Sequence, residues 1–235
     1  MASTRISPFF GRLLAVTLLL VAGSAQAWWN QEWAFRKQVT LDASPAGAAL
    51  SAEVKEAVVL VRLHEGVFNF ADAAADGADL RFIAEDDKTE LAHHVEKYDP
   101  VFNLAFVWVK VPLLANGKPS PIWLYYGNAK ATVPPASAAT YGPDQLLVYH
   151  FAEKATPVQD ATAFAHNAVN AVAALDESGQ IGNSARFDGA SAIQLPASPS
   201  LNLATGGSFS WSAWSGAPPR PACFTASAMP AVPRC

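Results

Sequence analysis

Excess basic charge is missing from this chain, and cysteine and helical periodicity are scarce. Sixteen Lys and Arg stand against 20 Asp and Glu, giving a net charge of −4 and a pI near 5.7. No basic field is available to hold phosphate backbones, so nucleic acid is not an expected partner. The only two cysteines, Cys223 and Cys235, lie in the tail, so the body of the chain has neither a disulfide nor a thiolate metal ligand. The one long apolar run, residues 13–22, has 10 residues, whereas a membrane-spanning helix needs roughly 20. Neither a Gly-rich phosphate loop nor zinc-ligand spacing occurs, and FDGAS at 187–191 lacks the order of a nucleophile elbow. Catalysis and a cofactor are therefore not expected.

About half of the 235 residues are apolar and 15% are charged, which suits one or two domains with a sizeable core. Arg5 and Arg12 precede the apolar run, and Ser24, Ala25, Gln26 and Ala27 follow with an Ala-x-Ala cleavage pattern. Residues 1–27 therefore read as a signal peptide, and the product as exported, periplasmic or secreted, with Trp28 first.

Short runs rich in β-branched and aromatic residues then follow, separated by Asp, Gly, Asn and Pro. Strands are expected at 36–42, 57–64, 79–85, 90–98, 103–111 and 121–127. RKQVTLD alternates as an edge or outer strand would, whereas AFVWVKV is apolar on both faces until Lys110, as in a central strand. DGAD at 76–79 and NGK at 116–118 supply turn residues that tolerate positive φ. Residues 129–143 are small and proline-bearing and read as a linker. A second β unit is expected beyond it, with QLLVYHFAE at 145–153, a turn-rich stretch, the short pair SARFDG and AIQLP, and SFSWSAW at 208–214.

Residues 28–128, with WWNQEWAFRKQVTLD, GADLRF, AFVWVKVP and WLYYGN, resemble an exported bacterial domain family of unknown function. Residues 145–214, with YHFAE, Asp160, RFDG, IQLP, SLNL and SFSWSAW, resemble the first part of a laminin-G-like, concanavalin A-like sandwich. The implied fold is all-β: an N-terminal β-sandwich-like domain plus an incomplete concanavalin A-like (laminin-G-like) β-sandwich over 144–215. The resemblance also implies a context, since this pair occurs at the front of MotA/TolQ/ExbB-type proton-channel proteins. The chain would then be the truncated N-terminal part of a transport protein whose partner is a membrane proton-channel module.

A complete sandwich of this kind needs about twice the 70 residues from 145 to 214. Phe187, Ile193, Leu195, Phe209 and Trp211 would lack an opposing sheet, which forfeits on the order of 10 kcal/mol in all. Residues 216–235 hold five prolines, two arginines and no acidic residue. That composition reads as an aberrant, frame-shifted tail or a disordered one.

The candidate chemistry is sparse. EDDKTE at 85–90 carries carboxylates, but Lys88 and Thr89 mark a turn, so a solvated hairpin loop is expected rather than a glycosidase pair. His93 and His94 would point to opposite faces and share no metal, whereas His94 and Glu96 would share a face as an ordinary polar pair. His64, His150 and His166 read as isolated histidines. Asp160, Asn167 and Asp188 are oxygen donors too few for a calcium site. Trp28, Trp29 and Trp33 are the candidate ligand-binding residues, since exposed aromatic faces suit a glycan, although packing competes for them. Trp108 and Trp123 read as core. The expected function is a non-catalytic recognition or assembly module of the envelope, binding a glycan or an envelope protein.

Overall fold

The structure, a computed structural model, describes residues 28–132, 137–170, 174–176, 179–188, 190–202 and 208–214. The expected signal peptide, both cysteines and the tail lie outside them. The described residues are all-β, apart from three single 3-10 turns.

Seven strands build the first layer pair: β1 (Phe35–Asp42), β2 (Val54–His64), β3 (Arg81–Ile83), β4 (Glu90–Leu91), β5 (His93–Asp99), β6 (Leu104–Leu114) and β7 (Pro119–Tyr126). They form a four-stranded sheet ordered β1-β7-β3-β4 and a three-stranded sheet ordered β2-β6-β5, with every pairing antiparallel. As expected, RKQVTLD lies at an edge and AFVWVKV in the centre. Period-two alternation places Ala105, Val107, Val109 and Val111 of β6 inward, against Phe82, Ile122 and Leu124 from the other sheet. Phe68, Phe70 and Leu80, from the β2–β3 connection, complete this core. Gly77 permits that connection: its φ is +70°, and a Cβ there would sit 2.7 Å from the Tyr98 ring.

The stretch expected as one strand over 90–98 is in fact two. β4 pairs with β3 in one sheet and β5 pairs with β6 in the other, with Lys110 N–H bonded to the Ala92 carbonyl at the crossing. Leu91 and His93 are nonetheless both buried. The inward-facing alternation runs unbroken through the change of sheet, so the pattern conceals it.

Trp108 and Trp123 also correct the reading as core. Each faces away from the sandwich interior and is half-buried by a second layer. Over the four-stranded sheet that layer is Trp28, Trp29, Trp33 and Ala131. Over the three-stranded sheet it is the segment from the 3-10 turn Ser137–Thr140 to His150. Thr140 and Tyr141 are buried, so part of the stretch expected as linker is packed.

Beyond residue 144 the described residues form one hairpin, β8 (Ala174–Asp176) and β9 (Ser184–Arg186), and one 3-10 turn, Pro199–Leu201. Residues 145–153 were expected to form a strand and join no ladder, and β9 pairs with β8 rather than with AIQLP. Residues 208–214 join none among the described residues either. Of the apolar residues expected to lack an opposing sheet, Phe187, Phe209 and Trp211 are each more than half exposed and Leu195 is 36% exposed.

Candidate functional site

The three N-terminal tryptophans converge on the outer face of β7. Trp33 is buried, with its indole N–H donated to the Asp79 carbonyl at 2.6 Å. Trp28 donates its indole N–H to the Trp33 carbonyl at 2.8 Å and meets Tyr125 edge-on, with ring centroids 5.4 Å apart. Trp29 packs 5.0 Å from Trp33, and its backbone N–H donates to the Tyr125 hydroxyl. Trp28 and Trp29 remain half-buried, so they present the aromatic surface that is left, while Trp33 anchors it.

Arg36 fixes this cluster. Its guanidinium lies 4.9 Å from the Trp28 ring and 4.4 Å from the Trp123 ring, and it pairs with Asp87. The Tyr125 hydroxyl accepts from Arg36 and donates to Asp87 at 2.5 Å. The hydrogen bond to Tyr125, reinforced by the Asp87 charge, holds the guanidinium above its ordinary pKa. The EDDKTE turn forms as expected, with Asp86 accepting from Lys88 N–H, Thr89 N–H and the Thr89 hydroxyl. Asp87 is not solvated, because it reaches back across the sheet to Arg36.

Beside this cluster a shallow depression of about 220 Å³ is lined by Glu32, Gly127, Asn128, Ala129 and Lys130. It is contiguous with the tryptophans through Glu32, next to Trp33, and through Ala131, which packs in the cluster and donates its N–H to the Asn128 carbonyl. Asp79, fully buried beneath, accepts from Gly127 N–H at 2.6 Å, Asn128 N–H at 3.1 Å and Ala74 N–H at 3.0 Å. A larger depression, about 340 Å³, lies between Arg62, His64, Glu65 and the Phe102–Leu104 hairpin tip.

On the other sheet, His150 is far from isolated. Its Nδ1 lies 3.0 Å from Glu96 Oε2, its Nε2 lies 2.6 Å from the Tyr141 hydroxyl, and its ring stacks on His94 with centroids 4.6 Å apart. The Trp108 indole N–H donates to the same Glu96 oxygen at 2.5 Å. His94 and Glu96 do share a face, although a bulge between Val95 and Lys97 intervenes. The two imidazoles are inclined by only 20°, so their lone pairs lie in near-parallel planes and do not converge on one ion. Burial, then repulsion from His150, holds His94 at a pKa of about 4.

His166 joins three segments. Its Nδ1 lies 2.8 Å from the Leu146 carbonyl, and its Nε2 lies 3.1 Å from the Ser198 hydroxyl and 2.9 Å from that of Ser200. The Asp160 carboxylate accepts from Val148 N–H, Thr162 N–H, the Thr162 hydroxyl and His166 N–H. Those bonds occupy the oxygens a calcium ion would need, and Asp188 caps its own exposed turn instead. Among the described residues, no group of three His, Cys, Asp or Glu is placed to hold a metal ion. Sequence reasoning missed Asp79, Tyr141, His150 and His166 as network members, because each meets its partners across long stretches of chain.

Fold and site together define a two-sheet antiparallel sandwich with a second polar and aromatic layer on each outer face. Residues 76–167 match the family described as Domain of unknown function (DUF2341). The match begins inside the region where that resemblance was expected, 28–128, and runs past its end through the segment that packs on the three-stranded sheet. No curated protein and no solved structure matches the chain.

Proposed function

We propose that this chain is a non-catalytic recognition module of the bacterial envelope whose ligand is a glycan, held at Trp28 and Trp29 above the Glu32–Asn128–Lys130 depression. The observation that carries this reading is that the half-buried indoles pack in one cluster with Ala131, the residue that follows the Gly127–Lys130 wall of a shallow depression with polar lining. Sugar rings stack their C–H faces on aromatic rings, and their hydroxyls need nearby donors and acceptors. The exposed Glu32 and Lys130 supply these, and Trp33 keeps the platform rigid. The non-catalytic reading draws support from the polar clusters elsewhere: the Asp79, Asp160 and Glu96 carboxylates are all engaged within the protein.

Export and the laminin-G-like character of the second unit enter this proposal from the sequence. So does the proton-channel context. No helix among the described residues is long and apolar enough to cross a membrane.

The test is titration of the protein with soluble peptidoglycan fragments and envelope polysaccharides, read by tryptophan emission and calorimetry. Binding should weaken at least tenfold in Trp29→Ala while circular dichroism is unchanged. Undiminished binding by both Trp28→Ala and Trp29→Ala, or binding to no glycan alongside capture of an envelope protein, overturns the glycan assignment.

A further inference from the structure

The contact between the three-stranded sheet and the segment 137–150 is polar where most layer contacts are apolar. At its centre two stacked imidazoles, His94 from β5 and His150 from the segment, face a single carboxylate, Glu96. Tyr141 closes the far nitrogen of His150, and Trp108 from β6 closes Glu96. Gly182, at φ +64°, lies against the Glu96 side chain so closely that a Cβ would collide with it, which brings the chain just before β9 to the same carboxylate.

Glu96 can balance one imidazolium. Among the described residues no second carboxylate is paired with either of the stacked rings. Lys110 of β6 is paired with Glu56 of β2, and Asp160 accepts four hydrogen bonds of its own. His93, the neighbour on β5, is turned into the core against Phe82. The closed contact is also under-satisfied, because His94 Nδ1 and the Thr140 hydroxyl are buried without hydrogen-bond partners. A packed interface that leaves polar atoms unpaired gains less from staying closed than an apolar one would.

We propose that the His94–His150–Glu96 cluster is an acid-released latch, which fastens residues 137–150 and Gly182 to the sandwich at neutral pH and frees them when both imidazoles are charged. The burial that keeps His94 neutral at pH 7 agrees with this direction. The inference concerns regulation of chain geometry and stands apart from the glycan reading.

Hydrogen exchange on the full chain at pH 7.5 and pH 5, corrected for intrinsic rates, tests it. Protection of amides 141–150 should fall at least tenfold further than that of β1 and β7 at the lower pH. His150→Gln should weaken that pH dependence, the His94→Gln/His150→Gln double variant should abolish it, and Glu96→Gln should lower protection of the segment already at pH 7.5. The latch is overturned in three cases: the segment's protection in the unsubstituted protein is independent of pH, β1 and β7 open in step with it, or the dependence survives in the His94→Gln/His150→Gln double variant.

Discussion

Acid should weaken the sandwich in good part through His93. Its ring is buried against Phe82, 5.3 Å between centroids, with Nδ1 3.3 Å from the Leu91 carbonyl and Nε2 lacking a partner. Burial above all, with a smaller contribution from the Arg81 charge, holds its pKa at about 4 against an ordinary 6.5. The native state therefore binds fewer protons than the unfolded chain between those two values, and stability rises with pH across that window. Stability from the neutral ring is complete above about pH 6.5, falls as pH drops, and is gone below about pH 4. A shift of about 2.5 units corresponds to roughly 3 kcal/mol in full, of which about 2 kcal/mol is lost between pH 7.5 and pH 5. A sandwich of this size has about 5–15 kcal/mol to lose. Urea unfolding at both pH values is the assay, and a urea slope of about 1–3 kcal/mol/M turns that loss into a midpoint lowered by roughly 1 M. His93→Leu, close in volume and unable to titrate, should lose about 2 kcal/mol less across the same interval. Parallel declines in the two proteins would refute the placement of the proton uptake at His93.

Three further substitutions probe the second layer and the turns. Asp79→Ala removes the acceptor of three backbone N–H groups and should cost about 3 kcal/mol in urea unfolding; a loss under about 0.5 kcal/mol would show that water replaces the carboxylate. Gly77→Ala places a Cβ 2.7 Å from Tyr98 at φ +70° and should cost about 2 kcal/mol, with the Tyr98 ring displaced in near-ultraviolet dichroism. Arg36→Lys keeps the charge but loses the planar stack between Trp28 and Trp123; it should cost about 1 kcal/mol and shift tryptophan emission. Wild-type emission and stability in that variant would assign the Arg36 contribution to charge alone.

Alternation carried most of the sandwich in readable form. Five of its seven strands fall where period-two runs place them, and the positive-φ glycines 77 and 117 fall in the DGAD and NGK turns. The division of ELAHHVEKY between β4 and β5 was illegible for a definite reason: a change of sheet at Ala92 leaves the inward side chains in phase, and pattern reports only phase. Trp108 and Trp123 were misread because an apolar outer face can mean either a buried strand or a strand covered by another layer. Beyond residue 144, strand-like composition was a poor guide, because a ladder needs a neighbouring strand as well as a suitable sequence.

The sequence by itself determined that the protein is all-β, which strands lie at an edge or in the centre, where the turns fall, and that His93 and His94 face opposite ways. These follow from local chemistry: side-chain alternation, β-branching and glycine's freedom of φ. Only the tertiary structure decided that Asp87 leaves its solvated turn for Arg36, that Asp79 seats the 127–128 backbone, and that His150 closes on Glu96 from 54 residues away. Those pairings join residues whose separation along the chain carries no periodic signal. They form because a carboxylate, imidazole or guanidinium taken from water must find a partner, and the packed sheets determine which partner is within reach.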